Sequence, residues 1–115
     1  MSGIEHSAAF QALEKYAARS EPKEINFPVV QEKVGTVFAR PLSCAEVDKL
    51  EKVSGHEYNV RLCMLACVDR DGNRVFNPED FAGLYAAKGT MQAFALAANQ
   101  ISAAQVIDFD SLKKD

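Results

Sequence analysis

Tryptophan is absent from the 115 residues, cysteine is scarce at three, and no run of basic residues appears anywhere. Lysine and arginine spread thinly in a chain of net charge -3 exclude the concentrated cationic face that a phosphate-backbone binder needs, so no nucleic-acid partner is expected. No apolar stretch approaches the length required to span a bilayer, and no membrane association is expected. The opening residues include Glu5 and His6 and lack both the basic start and the hydrophobic run of a secretory signal, which points to a cytoplasmic protein. An odd number of cysteines without an export signal, Cys44, Cys63 and Cys67, implies reduced thiols instead of a disulfide framework. Also missing are a phosphate-cradling glycine loop, a nucleophile elbow and a paired-histidine metal motif.

What is present is an ordinary globular composition, 48% hydrophobic and 25% charged, in a length that suits one domain over residues 1–115. Residues 5–19 place Ala9, Phe10, Leu13, Tyr16 and Ala17 at helical spacing, which gives residues 1–20 one amphipathic helix ending before Pro22. Ile25, Phe27 and Val29 then alternate with polar residues and Pro28, and a second β-prone run covers residues 34–40. The pattern predicts a β-hairpin over residues 24–40 with its first strand at a sheet edge.

Helix punctuation dominates from there. Leu42, Ser43, Glu46 and Val47 spell a capping box with a hydrophobic staple, and the helix they open should close near Ser54 and Gly55. Residues 57–68 are apolar on almost every side and predict a central buried helix. Asp69-Arg70-Asp71-Gly72-Asn73 reads as a turn, followed by a short third strand at residues 74–76. Asn77, Pro78 and Asp80 open a further helix, with Phe76 stapling onto Phe81, that should end at Gly89. Thr90 should cap the next, whose stripe is Met91, Phe94, Ala95, Ala98 and Ile101. Residues 43–101 are thus a helical core, and Ser102 with Gln105 suggests a last short helix or tail over residues 102–115. The fold class is α+β, a small hairpin or short antiparallel sheet packed against a mainly helical C-terminal part. Phe38, Leu62, Leu65 and Phe81 are the expected core residues.

Candidate chemistry is sparse. Asp69 and Asp71 have the first spacing of a calcium loop, but glycine falls fourth instead of sixth and the twelfth position is Asp80. His56, Cys63 and Cys67 lie at intervals of seven and four, along one helical stripe, with apolar neighbours Val60 and Met64 that favour a core over a metal site. Cys44 sits at a helix start, a place for a reactive thiol, yet no histidine is assignable to it as a base. No catalytic residue, cofactor or metal is expected.

The succession Gly35-Thr36-Val37-Phe38-Ala39-Arg40-Pro41-Leu42-Ser43, then Ala45, Glu46 and Asp48, then Asn59-Val60-Arg61-Leu62, then residues 68–76, then Phe81, Leu84 and Ala86-Ala87-Lys88, resembles the tail assembly chaperones of long-tailed phages and their prophages. The likeness runs from about Phe10 onward. It departs at Gln31-Glu32-Lys33-Val34, where relatives often carry a tryptophan-glycine pair before the position of Gly35. The resemblance implies a non-enzymatic factor of the host cytoplasm that coats the tape measure protein, keeps that long helix soluble, recruits tail tube subunits, self-associates, and is left out of the finished virion. It also implies that this chain is the shorter of two products, the longer arising by ribosomal frameshift. The alternatives are a structural virion component, such as a head-to-tail joining or minor tail protein, and a small thiol-dependent enzyme. On the chaperone reading, surplus apolar residues on the last two long helices, Leu84, Tyr85, Met91, Phe94 and Ile101, are the expected partner-binding set.

Overall fold

The computed structural model describes residues 6–17 and 21–105. Three short strands, β1 (Lys23–Ile25), β2 (Val37–Ala39) and β3 (Cys67–Val68), form an antiparallel sheet in the order β1-β2-β3, and the remainder is largely helical. The α+β class expected from the sequence is therefore present, with helices α1 (Ala8–Ala17), α2 (Pro28–Val34), α3 (Cys44–Leu50), α4 (Gly55–Ala66), α5 (Phe81–Ala86) and α6 (Met91–Ala104). The register pairs Glu24 with Phe38 and Ala39 with Cys67.

The hairpin is interrupted. Residues 28–34, expected to hold the end of the first strand, the polar turn and the start of the second, form a helix, because Pro28 stands at its first turn, where a missing N–H costs nothing and a fixed φ is already helical. Gln31 reinforces the start by accepting the Phe27 N–H on its side-chain oxygen at 2.8 Å. Gly35 ends the helix at φ +81°, ψ -155°, a region open essentially only to glycine, and its N–H returns to the Gln31 carbonyl at 3.0 Å.

The third strand is also displaced from its expected place. Cys67 and Val68, read as the end of the buried helix, leave α4 and pair with β2, while the expected strand at residues 74–76 contributes only an isolated bridge from Arg74 to Val68. The turn between them is held by Asp69, whose carboxylate accepts the N–H groups of Asp71 and Asn73 at 2.9 Å, with Gly72 at φ +86°. These bonds give the aspartate a turn-building role.

Helix boundaries shift elsewhere for local reasons. The Ser43–Glu46 capping box forms as read, but α3 stops at Leu50, and Gly55 opens α4 instead of closing α3. Asp80 accepts the Asn77 N–H at 2.9 Å, although the first turn after it, Pro78–Asp80, is a 3₁₀ turn leading into α5. α5 ends at Ala86, and the Thr90 hydroxyl donates backwards to the Leu84 and Ala87 carbonyls instead of capping α6. Ser102 and Gln105 do not start a new helix: α6 runs through to Ala104.

α4 packs along α6, and α6 also meets β1; among the described residues Val37, Val60, Cys63, Cys67 and Ile101 are the largest wholly buried side chains. Two glutamines of α6 fasten this arrangement. Gln100 bonds both the N–H and C=O of Asn26 at 2.7 Å, and Gln105 bonds the Leu42 N–H and the Arg40 carbonyl at 3.0 Å. Of the four expected core residues, Leu62 is buried, whereas Leu65 and Phe81 are half-buried. Phe38 is half-buried as well, because strand alternation turns Val37 and Ala39 inward and leaves it on the other face. Ala9, Phe10 and Leu13 of α1 are outside the core, with Phe10 42% and Leu13 67% exposed.

Candidate docking groove

Helix α4 has two working faces. Val60, Cys63 and Ala66 turn toward the core, while Glu57, Arg61, Met64 and Leu65, spaced four, seven and eight residues along, line an open groove of about 500 Å³. Lys49, Leu50, Lys52 and Val53, from the end of α3 and the turn after it, and Arg74, Phe76, Pro78 and Phe81 complete the lining: Leu50, Met64, Leu65, Phe76 and Phe81 make up its apolar floor and the charged side chains its rim.

The floor is apolar because these side chains complete the core from outside: Leu50 and Met64 are buried, and Leu65, Phe76 and Phe81 are half-buried against the same cluster. The rim is basic, with Lys49, Lys52, Arg61 and Arg74 against one lining acid, Glu57. Arg61 is held down by a 2.8 Å bond to Glu57 and by the Phe81 ring, 4.0 Å beneath its guanidinium. Lys49 and Lys52 form no ion pair among the described residues.

Glu46 fixes the junction between the groove and the sheet. It takes a two-pronged bond from the Arg40 guanidinium, accepts the Ser43 N–H at 2.9 Å, and lies 3.7 Å from Arg74. Arg40 in turn donates Nε–H to the Leu65 carbonyl at 2.8 Å. The Arg40 bond, against a smaller opposing effect of burial and with help from the Ser43 N–H, holds the Glu46 carboxyl down at about 2.

The residues expected to bind a partner divide. Phe94 (3% exposed) and Ile101 (0%) lie inside the core and are not available at the surface. Leu84 is half-buried against the core, and Tyr85 (45%) and Met91 (51%) are exposed. Tyr85 does not line the groove but adjoins it: its ring stacks on that of Phe81, one turn earlier on α5, with centroids 5.4 Å apart. The sequence reading missed the groove itself because Leu65, Phe76 and Phe81 look like core residues. Only the basic residues recurring beside them, at 61 and 74, hinted at a rim.

His56, Cys63 and Cys67 do not assemble a ligand set; no group of three or more histidine, cysteine or acidic side chains among the described residues is placed to hold a metal. The His56 ring sits instead between Tyr85 at 5.7 Å and Phe94 at 6.2 Å, and both its nitrogens are buried without a hydrogen-bond partner among the described residues. Contact with the Cys67 thiol, then burial, push the Cys63 thiol far above the usual range, which keeps it protonated and weakly nucleophilic. Cys44 is exposed at the start of α3. No helix of the described residues is long and apolar enough to cross a membrane.

Comparison of the chain with protein-family models, with curated proteins and with solved structures returned no match.

Proposed function

We propose that this protein is a binding factor that docks an elongated helical partner, acting as a tail assembly chaperone for a tape measure protein. The observation that carries this reading is the open groove of about 500 Å³ with an apolar floor and a basic rim, extended by the exposed ring of Tyr85. An amphipathic helix docks by laying an apolar stripe into such a groove while flanking charges meet the rim. Methionine and aromatic side chains in the floor, Met64, Phe76 and Phe81, suit varied partner side chains along a repetitive helix. The ordered resemblance from Gly35 to Lys88 names the partner: a tape measure protein, with tail tube subunits recruited afterwards and self-association of the chaperone during coating.

The test is coexpression with a tape measure protein of a long-tailed phage or prophage. Soluble tape measure protein that copurifies with this chain, together with absence of the chain from finished particles, is the expected result. A tape measure protein that stays insoluble, or a chain that persists in particles, would replace this reading with that of a virion component.

A further inference from the structure

Helix α1 has an apolar stripe that its own chain leaves uncovered. Every residue from His6 to Lys15 is exposed, Ala9, Phe10 and Leu13 of that stripe included. The start of the helix is nonetheless well built: the Ser7 hydroxyl accepts the Phe10 N–H at 3.1 Å, and the His6 ring stacks on that of Phe10 with centroids 3.9 Å apart. Helices shorter than about 12–15 residues are marginal in water when isolated, so the ten residues of α1 need a second surface to hold them.

The groove has the chemistry of that surface. At 3.6 residues per turn Ala9, Leu13 and Phe10 fall within about 100° of one another, Glu14 borders the stripe about 40° beyond Phe10, and Lys15 turns about 140° away. The stripe of α1 is thus edged by an acid, with its base directed elsewhere. The groove presents the complement, an apolar floor beneath four basic side chains and one acid, and Lys49 and Lys52 on its rim form no ion pair among the described residues. Lengths agree as well: α1 is about 15 Å long at helical rise, and the stretch of α4 from Glu57 to Leu65 that lines the groove is about 12 Å. With residues 6–15 exposed, α1 does not fill the groove of its own chain, which leaves that groove to the α1 of another.

We infer that α1 of one copy docks in the groove of a second copy, Phe10 and Leu13 on the apolar floor and Glu14 against Lys49 and Lys52. A ten-residue helix buries far less than a standard interface, so the association is weak and depends on concentration. A partner helix has to displace α1 to enter, which closes the groove to weak ligands. The inference rests on the reading of the groove as a helix-docking site and needs no external partner.

The experiment is sedimentation velocity of the full chain over a wide range of concentration. The sedimentation coefficient of the parent should rise with concentration. Leu13→Asp should weaken the association about tenfold or more, with an unchanged melting temperature because Leu13 lies outside the core. Glu14→Lys, and the pair Lys49→Glu with Lys52→Glu, should each weaken it about threefold or more. An equal mixture of these two charge-reversed chains should associate as the parent does, since every α1 then meets a groove of opposite charge. A mixture no stronger than its components would overturn the inference. So would an association that Lys49→Glu with Lys52→Glu leaves untouched, which would pair α1 with α1 instead. A parent that stays monomeric yet binds a tape measure helix would also overturn it while leaving the docking reading intact.

Discussion

Glu46 takes bonds from Arg40 and Ser43 beside Arg74, and its chemistry sets an acid limit on stability. Its carboxyl is held at about 2 in the fold against 4.5 ordinarily. A depressed pKa contributes stability that is fully present above about 4.5 and is lost as the pH falls from there toward about 2. Glu46→Gln should therefore lower the denaturant midpoint at neutral pH and flatten the decline between pH 4.5 and 2, relative to the parent. Urea titrations across that range check this, and parallel curves for the two proteins would contradict it. His56 makes the opposite case. Two buried ring nitrogens without partners forfeit hydrogen bonds they had in water, at a cost of about 1–3 kcal/mol. With aromatic neighbours on both sides, His56→Phe should raise stability by about 1 kcal/mol, read as a higher melting temperature. A lower one would mean that His56 has a polar partner in solution.

At the scale of elements, local signals that act through covalent geometry or short loops were legible in the sequence. The Ser43–Glu46 box, the Asp69–Gly72 turn and the Asn77–Asp80 start all form. The errors came where distant contacts decide. Pro28 reads equally as an edge strand or a helix start, and it is the Gln100 clamp on Asn26 that ends β1 there. Cys67 and Val68 fit a buried helix by composition, yet pairing with β2 satisfies their backbone instead. Gln105 looked like a capping residue because a sequence cannot show the Leu42 N–H waiting 63 positions away. Two substitutions separate core from surface. Leu62→Ala, wholly within the α4 packing, should cost about 2–5 kcal/mol, whereas Phe38→Ala on the half-covered sheet face should cost clearly less, measured by denaturant unfolding. Equal losses would place both on one core. Gly35→Ala should cost about 1–3 kcal/mol from backbone strain alone, since a Cβ there meets open space; an unchanged midpoint would show that the turn relaxes.

For the whole molecule, the sheet and the α4–α6 pair form a frame that leaves one face of α4 uncovered, and that face carries the proposed function. The candidate site was only half legible: apolar surplus on α5 and α6 pointed to a surface, and Tyr85 and Met91 do lie on one, but helical spacing alone could not separate them from Phe94 and Ile101 inside. The most direct test of the account is the affinity of purified chain for a synthetic amphipathic helix from the tape measure protein, measured by titration calorimetry. The parent should bind, Tyr85→Asp and the pair Lys49→Glu with Lys52→Glu should each weaken binding about tenfold, and Leu96→Asp, on an exposed position of α6 that does not line the groove, should bind as the parent does. Absence of binding by the parent, or a loss confined to Leu96→Asp, would contradict the assignment of the groove as the docking site.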